Sequence, residues 1–142
     1  MTVTSAWAQA WVRDVRRALN ERDWVTFERL HHPDVVYSTP ISECTGRGAL
    51  LARVQALVAA VPDLSLRECS FTFDVGKYRA VFETVESGTM RSDLPSPHGE
   101  IRGTGKPFEV HAVQIVTFDD SGLATKVRTY FDTAEAHRQP AG

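Results

Sequence analysis

At 142 residues, with a formal net charge of −2, 42% hydrophobic and 24% charged side chains, the chain fits one domain spanning 1–142 that can close a real core. That balance gives no electrostatic argument for nucleic acid, no run reaches the roughly 18 apolar residues of a membrane span, and the N-terminus lacks the basic and apolar stretches of a signal peptide. A cytoplasmic protein is expected, with Cys44 and Cys69, which lack metal-ligand spacing, as free thiols.

Trp7, Trp11, Val15 and Leu19 recur every four residues, the apolar stripe of a helix with Ser5 as its cap. Arg13, Arg16 and Arg17, interleaved with Asp14, Glu21 and Asp23, form a solvated face. Asn20 to Asp23 interrupts the stripe. Trp24, Phe27 and Leu30 then make a short second helix that stops at His31-His32-Pro33, where an imidazolium would complement the helix dipole. Asp34 to Thr39 is a strand with Val35, Tyr37 and Thr39 on one face and Pro40 at its end. After Gly46-Arg47-Gly48, the residues Leu50, Val54, Leu57 and Val61 have helical spacing, closed by Pro62 and Asp63. From Leu64 onward the period is two, in strands near 64–74, 77–90, 107–118 and 123–131, separated by Gly76-Lys77, a Pro/Gly-rich loop and Asp120-Ser121-Gly122. Helices gathered ahead of long consecutive strands predict an α+β fold, a curved and mostly antiparallel sheet wrapped around N-terminal helices.

The strand ending at Phe118 carries the most informative residue. Phe108, Val110, Ala112, Gln114, Val116 and Phe118 share one face, so a single amide sits among apolar neighbours. A buried amide needs hydrogen-bond partners, which means either a structural network or a cavity for a polar ligand.

The element order and a series of short motifs resemble the nuclear transport factor 2-like superfamily, and within it the SnoaL-like polyketide cyclases. The motifs are Asn20-Glu21-Arg22-Asp23-Trp24, His32-Pro33-Asp34-Val35-Val36-Tyr37, Gly46-Arg47-Gly48-Ala49-Leu50 and Val61-Pro62-Asp63-Leu64. Further along come Glu86-Ser87-Gly88-Thr89, Gly103-Thr104-Gly105-Lys106-Pro107, Phe118-Asp119-Asp120-Ser121-Gly122-Leu123 and Tyr130-Phe131-Asp132. The resemblance implies a cone-shaped sheet closed by helices around a deep apolar pocket. It leaves the chemistry open, since the fold hosts cyclases, isomerases, epoxide hydrolases and non-catalytic binders.

On that fold the pocket would be lined by the Gln114 face, by Tyr37 and Thr39, by Val127, Thr129 and Phe131, and by Trp11 and Val15. Along 77–90 the even face, with Tyr78, Ala80, Phe82, Thr84 and Glu86, suits a cavity better than the odd face bearing Arg79 and Glu83. Glu86 then lies inside or at the rim, where desolvation would raise its pKa and let it exchange protons near neutral pH; a solvated strand end is the alternative. Ketosteroid isomerases resemble the chain in fold, but the places of their catalytic set fall on Val15, Thr39 and Gln114, none of which transfers a proton at ordinary pH. SnoaL-like cyclases use an acid on the last strand, and Asp132 is the nearest match. It shares parity with the outward Lys126, Arg128 and Tyr130, so it needs a bulge or the strand's end to turn inward, and capping a helix at Ala134-Glu135-Ala136 is its other reading.

His111 has the parity of Val113 and Ile115, which places it on a sheet face suited to a dimer unless the pocket lies on that side. His98, in Pro95-Ser96-Pro97-His98-Gly99, would sit on a loop over the pocket mouth, within reach of substrate. The histidines show no zinc spacing, and the chain has neither a phosphate-gripping glycine loop nor a nucleophile elbow, so no metal or cofactor is expected. The expected activity is a cyclase or isomerase for a small apolar polyketide-like substrate. Glu86 or Asp132 would be the acid/base, Tyr37 a proton donor or anchor, and Gln114 with Thr39 oxyanion and orientation donors, beside contacts from Trp11, Val15, Phe82, Thr129, Phe131, His111 and His98. An epoxide hydrolase or epoxide-opening cyclase, and a non-catalytic ligand binder or dimeric adaptor, are the alternatives. Val113 and Ile115 favour a homodimer.

Overall fold

The computed structural model describes residues 2–94 and 102–132. Among these, the elements run α1 (Ser5–Glu21), α2 (Trp24–Arg29), β1 (His31–Thr39), β2 (Ser42–Thr45), α3 (Arg47–Ala60), β3 (Ser65–Asp74), β4 (Arg79–Thr89), β5 (Pro107–Phe118) and β6 (Ala124–Phe131). The strands form one curved, unclosed sheet in the order β2-β1-β6-β5-β4-β3. All neighbours are antiparallel except β1 and β6, whose parallel pairing brings the beginning and end of the sheet together. This is the α+β cone expected of the sequence.

Local chemistry sets the helix ends. Thr4, not Ser5, caps α1: its hydroxyl accepts the Trp7 N–H at 3.1 Å, and Ser5 is already helical. Arg22, at φ 60, ends α1 in the left-handed conformation, and the Asp23 carboxylate at once caps α2 by accepting the Thr26 N–H at 3.2 Å. The apolar stripe of α1 buries Ala8, Trp11, Val12 and Ala18 against the sheet. Trp11 stands edge-on to Phe118 at 5.3 Å, and its indole N–H donates to the Leu30 carbonyl at 2.9 Å. Trp7 remains 43% exposed, though its indole N–H reaches the Gly122 carbonyl at 3.2 Å.

Several sequence expectations shift. The second helix ends at Arg29, and His31 opens β1 opposite Ala124 instead of stopping a helix. Pro33 falls where the β1–β6 register is interrupted, between His31 and Val36, so its missing N–H costs no ladder bond. Pro40 does end β1, but a turn of Pro40 and Ile41 leads straight into β2, pairing Thr39 with Ser42. β4 begins at Arg79 because Lys77 and Tyr78 belong to the preceding turn, with Tyr78 at φ 50. At the far edge of the sheet, the Asn20 side-chain amide donates to the Leu66 carbonyl at 3.1 Å and accepts the Leu66 N–H at 2.9 Å, tying α1 to β3. Cys44 and Cys69 are free thiols, and no helix of the described residues is long and apolar enough to cross a membrane.

Candidate active site

Strand alternation and register assemble one concave wall. Phe82, Gln114 and Thr129 stand side by side across β4, β5 and β6; Thr84, Ala112 and Phe131 form the next row; Glu86 faces Val110, and Tyr37 faces Val127. α1 and α3 cover this wall and leave two chambers. The inner one, about 90 Å³, is bounded by Trp11, Val15, His31, Leu50, Val54 and Phe82. The outer one, about 160 Å³, is bounded by Thr39, Arg53, Met90, Phe108, Thr129 and Phe131. Tyr37, Leu57, Thr84, Glu86 and Gln114 line both, so the polar groups sit at the partition between them.

Glu86 touches solvent only partially, across the cavity, and protein surrounds it. Burial pushes its carboxyl up to about 7, with no cation close enough to oppose the shift. Tyr37 is likewise pushed up by burial and by the Glu86 charge, against the pull of Thr129 and Arg53, so its phenol stays a proton donor at neutral pH. The Arg53 guanidinium stands 5.4 Å from the Tyr37 ring centroid. The Thr129 hydroxyl lies near that of Tyr37 but outside hydrogen-bond geometry, and it is buried without a partner among the described residues. The Gln114 amide makes no hydrogen bond to another described residue either, so of its two readings, a structural network or a cavity for a polar ligand, the described residues supply no network, and it lines both chambers with Glu86. A carboxyl that titrates near neutrality, a phenolic donor and an unengaged amide around one cavity suffice for proton transfer to and from a bound carbonyl compound.

The structure sorts the remaining expected residues. Trp11, Val15 and Phe82 line the inner chamber, and Thr39, Thr129 and Phe131 the outer one. Asp132 follows the end of β6 on the outward parity, is exposed, and belongs to neither chamber; the β5–β6 register irregularity lies at Ala124–Lys126, and from Lys126 to Phe131 the pairing is regular, with no bulge to turn the strand end inward. His111 likewise lines neither chamber: its side chain is 76% exposed on the outer face, 3.6 Å from the Glu109 carboxylate. Tyr78 packs on the core from its turn and lines neither chamber. His98 and Ala134-Glu135-Ala136 lie outside the described residues.

His31 corrects the macrodipole expectation. Burial, reinforced by the Arg47 charge, lowers its pKa to about 4 against the opposing bond to Phe27, so the ring is neutral at pH 7. Its Nδ1–H donates to the Phe27 carbonyl at 2.7 Å, which satisfies a helix-end acceptor without a charge. His32 accepts the Asp34 N–H at 3.0 Å within β1. Sequence reasoning missed His31 and Arg53 as cavity residues. Arg53 follows Leu50 by three positions and precedes Leu57 by four, so spacing groups it with them, but which side of α3 meets the outer chamber is set by how the helix packs.

The fold is shared with known structures. TsrD from Streptomyces laurentii is 23% identical, with a TM-score of 0.82 over 97% of this chain and 97% of its own. A candidate polyketide cyclase of Xanthomonas campestris pv. campestris is 21% identical, with a TM-score of 0.81 over 96% of this chain and 98% of its own. An LEH-like epoxide hydrolase of M. tuberculosis is 18% identical, with a TM-score of 0.71 over 92% of this chain and 86% of its own. No curated protein sequence matches the chain. Identities this low establish the fold alone, but the SnoaL-like domain model matches residues 12–137, nearly the whole chain. The chain therefore belongs to the SnoaL-like family of the nuclear transport factor 2-like superfamily.

Proposed function

We propose that this domain is a general acid/base enzyme, a cyclase or isomerase for a small, largely apolar carbonyl compound of polyketide type. The observation that carries the reading is Glu86, a carboxyl raised to about 7 by burial at the partition of a two-chambered cavity. As carboxylate it takes a proton from the carbon beside a carbonyl. The electron pair moves to the carbonyl oxygen, where the Tyr37 O–H and a Gln114 N–H stabilise the enolate. The enolate carbon then attacks a second carbonyl, whose π pair goes to its oxygen as an alkoxide that takes the proton back from the Glu86 carboxylic acid, closing a ring with no net loss of atoms; or the acid returns the proton at another carbon to complete an isomerisation. Thr39 and Thr129 orient the substrate in the outer chamber.

Deuterium incorporation beside the carbonyl tests this without knowledge of the final product. Aromatic and linear β-dicarbonyl compounds incubated in D₂O should gain mass in the presence of the protein, and Glu86→Gln should slow that gain about 100-fold or more. Undiminished exchange by the variant would remove Glu86 from the mechanism. A protonated Glu86 could equally donate to an epoxide oxygen, and transfer of ¹⁸O from water into product would identify that chemistry. The reading includes a cytoplasmic homodimer formed through the outer sheet face around Val113 and Ile115, with the non-catalytic binder as the alternative if no substrate turns over.

A further inference from the structure

Arg53 is a cation without an ion-pair partner among the described residues, in a chamber with mostly apolar walls. Among the described residues, Arg16 meets Glu68 at 3.7 Å, Arg17 meets Glu21 at 2.7 Å and Asp23 at 3.1 Å, and Arg47 meets Glu28 at 3.9 Å. Arg22 spends its donors on the carbonyls of Leu19, Pro62 and Leu64. Arg53 has no described carboxylate within 4.0 Å; what holds it is the Tyr37 ring, 5.4 Å from centroid to guanidinium carbon. That ring positions the charge without neutralising it.

The chamber around Arg53 includes Ile41, Leu57, Met90, Phe108 and Phe131. A half-buried guanidinium there is partly desolvated and gains only the cation–π contact, so the fold would be served as well by an apolar side chain. Its planar fork of N–H donors matches a carboxylate. Arg53 does not act on Glu86, whose shift has burial as its one cause, yet both act on Tyr37. Arg53, Tyr37 and Glu86 all line the outer chamber.

We propose that the substrate carries a carboxylate that pairs with Arg53 in the outer chamber, which makes the ligands of this cavity amphipathic carboxylic acids with their apolar body against Phe108 and Phe131. The proposal rests on the acid/base reading only for which carbon then reacts beside Glu86; the charge selection stands on Arg53 itself.

Binding separates the two. Calorimetric titration with 2-naphthoate and with its neutral amide, at pH 6 where the probe acid is ionised and Glu86 mostly protonated, should show the anion binding at least about tenfold tighter. Arg53→Met should erase that preference, Arg53→Lys should keep part of it by retaining charge without the fork, and Glu86→Gln should leave it in place. Cooperative melting of each variant verifies that it is folded. Equal affinity of the intact protein for acid and amide, or a preference that survives in Arg53→Met, would overturn the proposal. Loss of the preference in Arg53→Met beside full exchange activity in Glu86→Gln would support it while overturning the role of Glu86.

Discussion

β4, β5 and β6 present different chemistry on their two faces. On the side covered by the helices stand Phe82, Thr84, Glu86, Gln114 and Thr129; on the other stand Val81, Glu83, His111, Val113 and Tyr130. Glu83 and Glu86 are three residues apart on one strand. The outer carboxylate accepts the Ser70 hydroxyl at 3.0 Å in contact with solvent, whereas the inner one has no donor among the described residues and is raised to about 7 by burial. The acid is thus made by the face it occupies and by the helices laid over that face, not by the residue type.

Core truncation gives the largest contrast. Phe82→Ala, at a side chain only 2% exposed, should lose about 3–5 kcal/mol in denaturant unfolding, while Val81→Ala on the outer face should change stability by roughly 1 kcal/mol or less. Similar losses at the two positions would break the distinction between the faces.

Glu86→Gln should have the opposite sign. The folded pKa near 7 lies above the ordinary 4.5, so the native state holds the proton more tightly, and stability falls by about 3 kcal/mol as pH rises from 4.5 to 7. His31, near 4 when folded and 6.5 otherwise, works the other way: its contribution is present above pH 6.5 and is lost as pH falls to 4. Between pH 4.5 and 6.5 the slopes oppose one another, which predicts a flat optimum with a decline on each side. Glu86→Gln should abolish the alkaline decline and stabilise the protein by about 3 kcal/mol at pH 8, whereas Glu83→Gln should stay within about 0.5 kcal/mol. Thermal melts from pH 4 to 9 check both.

Smaller effects sharpen the picture. Thr129→Val removes a buried hydroxyl without a partner and should gain about 1 kcal/mol. A simultaneous loss of exchange activity would show that the hydroxyl is retained for substrate. Val113→Thr should alter folding by less than about 0.5 kcal/mol and still weaken self-association in sedimentation, if the outer face pairs two copies.

Most of the fold was legible because period and punctuation coincide: the helical stripes, the long alternating strands and the break at Pro62-Asp63 survive, while the break expected at Asn20–Asp23 narrows to Arg22 and Asp23, since α1 continues through Glu21. β2 was not legible, since Ser42-Glu43-Cys44-Thr45 is short and polar and exists by pairing with β1. The lining of the cavity was legible wherever a strand face decides it, as for Tyr37, Phe82, Glu86, Gln114 and Thr129. It was illegible where placement depends on a strand's end or on helix rotation. Asp132 lies one residue past the ladder, His31 takes its environment from Trp11 and Phe27, and Arg53 depends on which side of α3 meets the outer chamber.

The Asn20 amide bears on solubility. β3 is an edge strand, and its free N–H and C=O groups could template pairing with a strand of another molecule. By donating to and accepting from Leu66, Asn20 occupies both backbone groups of that residue as a neighbouring strand would. A side chain from the first helix thereby blocks the start of an edge-to-edge stack, and Asn20→Ala should raise the tendency to aggregate by more than its modest cost in folding.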